Sequence, residues 1–437
     1  MMSFKSVSRT IFLILVQLQF LLAGSELYVL NSLAETVSIW DGESTTNDVA
    51  TLGLYPNDML VKGDSLLVLN SGSHDLQIFD RTNLSQLAVI SLPENSNPYE
   101  MMLDGAGNVL VSLFQSHHLA RIDLNTGIVT DTVPTGPSPE GVLVNGNLVY
   151  VTSSNFNTSD WTYGQGKVVV HDGESLAILN EYLVPTNPQK LLMAGDGMLH
   201  VLCTGNYFSE FGRVVRIDLS ENRVVDTLEI GGSPGAFAGD ADGVVYLAAG
   251  GWGDAPAGLV YTYSMADFVV LNGESNPLEV GHGIMSVAAD PTESGTWVAS
   301  FETDEIYHIT AEGTITQQLI VGDGPSKIVI APTSTTDMAT QLAPADFRIS
   351  PAYPNPFNPA TNFTITLTQN ADLRVAVFDI QGHRVRELAP KAQAAAGTLS
   401  FKWNGRDDNS HPVASGIYFL ETSLDGRRFL QKVTLVR

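Results

Sequence analysis

Cysteine is nearly absent from this 437-residue chain: Cys203 is its one copy. No intrachain disulfide can form, so packing alone must hold the mature fold. Cys203 lies in a strand-like V-L-C-T run and reads as a buried, inert thiol. Basic residues are scarce as well, with 22 Lys and Arg against 47 Asp and Glu, a net charge of −25. Such a field repels phosphate backbones and anionic lipid, and nucleic acid is not expected as a partner. Long apolar runs are missing too. The run from Ile11 to Leu22 is 12 residues long, too short to cross ~30 Å of hydrocarbon. There is no G-x-S-x-G elbow, no H-E-x-x-H pair and no phosphate-binding glycine loop, and Cys203 has no evident paired base. No cofactor is expected.

What is present begins with an address. Lys5 and Arg9 precede the Ile11–Leu22 run, and Ala23-Gly24-Ser25 follows it, which reads as a signal peptide over 1–25 cut before Glu26. No Cys follows the small residues, so lipidation there is not expected. Charge then divides the rest of the chain. Residues 26–346 hold 40 acidic and 9 basic residues, a balance of −31, whereas 347–437 hold 7 acidic and 11 basic, a balance of +4. Two domains with different surfaces follow from that contrast. Between them the Thr/Ser/Pro/Ala-rich stretch around 332–346 reads as a linker.

The acidic part is a repeat. A short apolar strand recurs seven times at intervals of 39 to 51 residues: L-Y-V-L-N-S from Leu27, L-L-V-L-N-S from Leu66, V-L-V-S-L-F from Val109, V-Y-V-T-S-S from Val149, L-H-V-L-C-T from Leu199, V-Y-L-A-A-G from Val245 and T-W-V-A-S-F from Thr296. A second strand follows each copy, as in S-I-W-D-G and Q-I-F-D, and Gly- and Asn-containing turns argue antiparallel hairpins. A Pro or Gly turn opens the strand before most copies, but the first copy lacks that strand and 326–331 supplies one to spare. Pairing of 326–331 with 27–32 would close the array and remove its exposed edges. The expectation is an all-β chain: a seven-bladed β-propeller over 26–331, four strands per blade, sealed by a shared blade.

These strands resemble the YVTN family of bacterial surface propellers, close to the YncE type, with V-Y-V-T-S-S at Val149–Ser154 the nearest local match. The resemblance implies extracytoplasmic binding of ligands that differ between members.

Propeller topology collects function in the loops of one face. Three loops there are long, 153–166, 204–212 and 249–258, and they carry Phe156, Trp161, Tyr163, Tyr207, Phe208 and Trp252. Clustered aromatics suit stacking on a small molecule, a glycan or a protein surface, and equally suit packing on one another. Innermost-strand turns add Asp58, Glu100, Glu140, Lys190 and Lys327 near the channel, where they could orient a polar ligand or simply be solvated. His74, His117, His118 and His282 share the face, but their spacing fits no ligand motif and no metal site is expected. Asp240–Gly243 reads as a plain D-A-D-G turn, without the downstream Glu of a calcium loop. The leading expectation is a non-catalytic binding propeller. The alternative is a metal-dependent lactonase- or lyase-like enzyme at the central channel, with Asp58, Glu100, Glu140 and His282 in reach.

The tail opens on Y-P-N-P-F-N-P, residues Tyr353, Pro354, Asn355, Pro356, Phe357, Asn358 and Pro359. Strands read at 363–367, 373–379, 397–403, 416–424 and 428–436 suggest a small immunoglobulin-like β-sandwich over 347–437. With V-F-D-I-Q-G-H-R-V and the W-N-G to G-I-Y-F-L segment, which includes Gly416 and Tyr418, the tail resembles the C-terminal sorting domain of type IX secretion cargo. It also resembles the immunoglobulin-like domain of flagellar hook-capping proteins. That resemblance implies recognition by an outer-membrane secretion translocon and a secreted or outer-surface location on a Gram-negative bacterium, reached through the periplasm. A monomer with an unidentified propeller ligand is expected.

Overall fold

The computed structural model describes residues 25–290, 293–332 and, apart from positions 350–351, 353, 356, 368–369, 380–382 and 425–426, residues 347–436. The expected signal peptide before Ser25, the expected linker after Pro332, and Tyr353 and Pro356 lie outside the described residues.

Every described element is a β-strand. Among the described residues, seven antiparallel sheets of four or five strands succeed one another between 25 and 332, with one two-stranded hairpin beside the fourth. Sheet one combines residues 25–51 with Pro325–Pro332; sheets two to seven occupy 56–91, 98–134, 139–184, 188–229, 236–279 and 284–320. Each has four strands, except that the outer strand of sheet six is broken into Val269–Asn272 and Leu278–Glu279. Pro325–Pro332 lies antiparallel beside Ser25–Asn31, with Leu27 opposite Ile330 and Val29 opposite Ile328. The first strands of successive sheets pack against one another, and Pro325–Pro332 packs against those of sheets two and seven. The architecture is all-β and propeller-like.

Burial explains the sequence pattern. The second strand of each sheet has a hydrogen-bonded neighbour on each edge and an adjacent sheet on each face, so it reads as a continuous apolar run. Val109–Leu113, Leu199–Cys203 and Thr296–Ser300 are buried at every position. Outer strands such as Ile315–Ile320 are largely exposed and carry Thr and Gln. Apolar contacts therefore fill the spaces between sheets, as where Leu69, Leu76 and Ile90 of sheet two meet Met101, Val111 and Ile122 of sheet three.

Two turn devices repeat. In sheets one to five the third strand ends on, or in sheet one just before, an aspartate, Asp41, Asp80, Asp123, Asp172 or Asp218, whose Oδ1 accepts a backbone N–H of Ser44, Thr82, Asn125, Ser175 or Ser220 at 2.8 Å. The second device precedes the innermost strand. Tyr55, Asn97, Ser138, Asn187 and Gly324 hold φ of 51°, 47°, 52°, 59° and 70°, each just before a proline. A register shift follows at once, between Pro56 and Asp58, Pro98 and Met101, Pro139 and Val142, and Pro188 and Lys190. Bulges of this kind re-aim side chains.

One buried cation joins the two ends of the array. Arg81 donates to Glu26 Oε2 at 2.8 Å, Tyr28 Oη at 3.0 Å, the Gly63 carbonyl at 3.0 Å and the Pro332 carbonyl at 2.8 Å.

The tail forms two further sheets. Phe347–Ile349, Thr361–Leu367 and Gly397–Trp403 make one; Arg384–Ala394, Ala371–Asp379, Gly416–Leu424 and Arg427–Leu435 make the other. Both contribute to one core around Trp403, with Phe363 and Ile365 on one side and Val375, Val377 and Leu420 on the other. The five expected strands are present. Arg384–Ala394 was not expected, because Pro390 interrupts its pattern; it is an edge strand, where a missing N–H is tolerated.

Candidate functional site

The bulged starts of the innermost strands hold the charged residues. Asp58 is buried, 3% exposed; its Oδ1 lies 2.9 Å from Lys327 Nζ and its Oδ2 accepts the Met101 N–H at 2.8 Å. One carboxylate thus ties sheets one, two and three. Burial opposes the Lys327 charge, but Asp58 and Glu100 outweigh it and raise the lysine above its ordinary range. Lys190 of sheet five pairs with Glu100 of sheet three, passing over sheet four. The residue of sheet four at the matching distance from its proline is Gly141, where a Cβ would meet the Gln189 carbonyl at 2.6 Å.

Glu140 differs from the others. It is 3% exposed, and its Oε2 has no hydrogen-bond partner among the described residues. Burial pushes its carboxyl up to about 7, while Ser154, the Lys190 charge and Tyr99 pull the other way. Among the described residues, Asp58 pairs with Lys327 and Glu100 with Lys190, whose charge also reaches Glu140.

Beside these charges runs a line of aromatic rings. Tyr99 stacks on Phe114 with centroids 5.8 Å apart, Phe114 lies 6.3 Å from Phe156, Phe156 4.9 Å from Tyr163, and Tyr163 6.3 Å from Tyr207. Trp161 branches edge-on from Phe156 at 6.0 Å and is 78% exposed. A small hairpin, Phe156–Asn157 against Thr162–Tyr163, positions three of these rings. Gln189 Nε2 donates to Tyr207 Oη at 3.4 Å, and Lys190 Nζ sits 5.7 Å from the centre of the Tyr99 ring. The Glu140 charge, then burial, raises Tyr99; burial first, then Tyr207 and Glu140, raises Tyr163. Burial and Glu140 also raise Tyr207, so all three phenols stay neutral donors.

Phe156, Trp161, Tyr163 and Tyr207 are thus brought together. Phe208 is 86% exposed at a loop tip, and Trp252 stands apart from the line, meeting Phe301 edge-to-face with centroids 5.8 Å apart. Tyr99, Phe114 and Gln189 belong to the site and are missed by sequence reasoning. Tyr99 hides inside the N-P-Y-E turn and Phe114 closes a strand copy; only contact between sheets joins them. An open cleft of about 600 Å³ is lined by Tyr55, His74, Asn95, Asn97 and Gln115, and none of the rings of the line takes part in it.

The histidines have local duties. His74 and His117, at φ 52° and 64°, occupy turn positions like those of Glu35 and Asp304 at 54° and 57°. His117 Nδ1 accepts the Ser138 N–H at 2.9 Å, while His282 pairs with Glu302 and reaches the Ala255 carbonyl at 2.7 Å. Among the described residues, no group of three or more His, Cys, Asp or Glu is placed to hold a metal ion. Asp240 binds the N–H groups of Asp242, Val244 and Gly295 and the Tyr246 hydroxyl, and so serves as a turn bolted to sheet seven.

In the tail, Phe357 is buried 5.3 Å from the Trp403 ring, and its N–H donates to the Thr434 carbonyl at 2.9 Å. Asn355 Oδ1 accepts the Thr434 N–H at 2.8 Å, and the Tyr418 hydroxyl donates to the Ala414 carbonyl at 2.8 Å. Pro354 is half-buried, Asn358 and Pro359 are exposed, and Gly416 begins the strand that carries Tyr418. The tail matches the FlgD Ig-like domain family over residues 354–426.

No curated protein matches the chain. Among solved structures, it is similar to a functionally unknown protein from Desulfotomaculum acetoxidans, with TM-score 0.54 and 14% identity over 70% of this chain and 99% of that one. Hydrazine synthase of Kuenenia stuttgartiensis gives TM-score 0.52 and 14% identity over 64% of this chain and 96% of that one. Virginiamycin B lyase from Staphylococcus aureus gives 0.46 and 14%, over 64% and 92%. At such identities the first two likenesses speak for the propeller-type fold alone.

Proposed function

We propose that this chain is an exported, non-catalytic binding protein. Its working part is a closed seven-bladed propeller over 26–331 that holds a ligand on the aromatic line of sheets three to five. One observation carries the binding reading: rings from three successive sheets form a line from Tyr99 to Tyr207, beside the buried Glu140 carboxyl, whose Oε2 has no hydrogen-bond partner among the described residues. Rings needed only for packing would be covered, whereas Trp161 and Tyr207 are 78% and 52% exposed. Exposed aromatic clusters of this sort fit a partner that covers them.

The tail, residues 347–437, is read as an immunoglobulin-like sorting domain recognised by an outer-membrane translocon. The FlgD-type match, the Y-P-N-P-F-N-P motif and the leader with Lys5 and Arg9 support that reading, with the protein reaching the surface of a Gram-negative bacterium as a monomer. The pairing of Pro325–Pro332 with Ser25–Asn31 supports closure without the tail.

A thermal-shift screen of the full chain against glycans, aromatic small molecules and peptides tests the site. A ligand at a hundredfold excess over Kd stabilises by about 2.7 kcal/mol. Phe156→Ala and Tyr207→Ala should abolish the shift and Trp252→Ala should not; a shift that survives the first two rejects the site. Export is tested by truncation after Asp346. The shortened chain should stay in the periplasm, and its normal arrival at the surface would overturn the sorting role.

A further inference from the structure

The bulged starts of the innermost strands carry three carboxylates, Asp58, Glu100 and Glu140, and two ammonium groups, Lys190 and Lys327, and the shortfall has a definite location. Asp58 is held by Lys327 and the Met101 N–H, and Glu100 by Lys190. Glu140 is left with Oε2 buried and without a hydrogen bond among the described residues. Ser154, Tyr99 and the Lys190 charge support this carboxyl in part; a carboxylate oxygen kept from water without a donor is still unfavourable, and a cation beside it removes the deficit.

Resting on the binding reading above, we infer that the ligand is a small organic cation, an alkylammonium or guanidinium on a flat apolar body, whose charge meets Glu140 beside the rings of Tyr99, Tyr163 and Tyr207.

Four observations agree on this class. The Glu140 charge acts on all three phenols, so the carboxyl lies within reach of the rings. Ring faces attract cations, and the protein already uses Tyr99 in this way for Lys190, 5.7 Å from its centre. The apolar body has Phe114, Phe156 and the exposed Trp161 to rest on. Finally, residues 26–346 carry a balance of −31, which concentrates cations and repels anions. A neutral sugar would stack equally well but bring no positive charge to the Glu140 carboxylate.

The test uses full-length protein and four probes of similar shape: benzyltrimethylammonium, benzylamine, benzyl alcohol and benzoate. Calorimetry at about pH 8, where Glu140 is ionised, should show both cations binding at least about tenfold tighter than the alcohol, and benzoate not binding. Glu140→Gln should erase the preference for cations, and Tyr207→Ala should weaken every probe. A second arm needs no variant. Benzyltrimethylammonium does not titrate, so its affinity for wild type should fall between about pH 8 and pH 5.5 as Glu140 takes up a proton. The other facing groups are Tyr99, Tyr163 and Tyr207, which stay neutral, and Glu100, Lys190, Asp58 and Lys327, held in their ion pairs. Equal binding of alcohol and cations, or the same affinity in Glu140→Gln, overturns the cation while leaving the aromatic site standing. Cation binding untouched by Tyr207→Ala and Phe156→Ala rejects the site itself. Failure of both cations to bind, or an affinity flat with pH, also overturns the inference.

Discussion

The propeller-like array and the tail are built from the same kind of strand, but they distribute their apolar contacts in opposite ways. The array spreads them over successive spaces between sheets, so Leu69 and Met101 serve one boundary while Leu202 and Tyr261 serve another. The tail gathers them about Trp403, which touches both Phe357 and Tyr418. A side chain removed from the array loosens one boundary; a side chain removed from the centre of the tail loosens everything there. The array has its own weak point, which is the meeting of its ends.

Trp403→Ala should produce the largest effect, a loss of about 4–5 kcal/mol confined to the tail. Calorimetry should show the tail's transition falling while the array's stays in place, and a joint fall would break the comparison. Arg81→Ala comes next. It leaves Glu26 without its cation and frees the Pro332 carbonyl, and should lower the array by about 4 kcal/mol in urea titrations, with the tail unaffected.

Glu140→Gln sharpens the contrast through pH. The folded carboxyl is raised from 4.5 to about 7, so protonation favours the fold. Its contribution is fully present below pH 4.5 and is lost as pH rises through 7. At about pH 8 the Gln variant should therefore exceed wild type by about 3 kcal/mol, and near pH 4 the two should coincide. An equal gap at both values would show a packing effect instead. Lys167→Ala, which breaks an exposed pair with Glu181 on sheet four, should change array stability by less than ~1 kcal/mol.

Much of the array was legible because each second strand is buried on both faces, which leaves an apolar run in the sequence. The tail's edge strand Arg384–Ala394 was not, since exposure and Pro390 remove the alternation that marks a strand. The site divides in the same way. Phe156, Trp161, Tyr163 and Tyr207 stood out as aromatics in long loops. Loop length alone also grouped Trp252 with them, although its ring meets Phe301 instead. The Lys190–Glu100 pair, 90 residues apart, was invisible because it depends on the small Gly141 between them. Glu140 read as a channel-mouth residue that could orient a polar ligand or simply be solvated; its burial, which the bulge after Pro139 accompanies, was not legible.

The pairing of Ser25–Asn31 with Pro325–Pro332 also sets an order of events. As the chain is made, Ser25–Asn31 is the first described strand to emerge, and hairpin partners reach it early on one edge. Its other edge waits for some three hundred more residues, the slow kind of contact that joins distant parts of a chain. Throughout that interval an apolar strand offers unpaired N–H and C=O groups to any passing edge. The earliest strand is the last to be protected, and the hazard of misassembly ends only when Arg81 can grip Glu26 and Pro332 together.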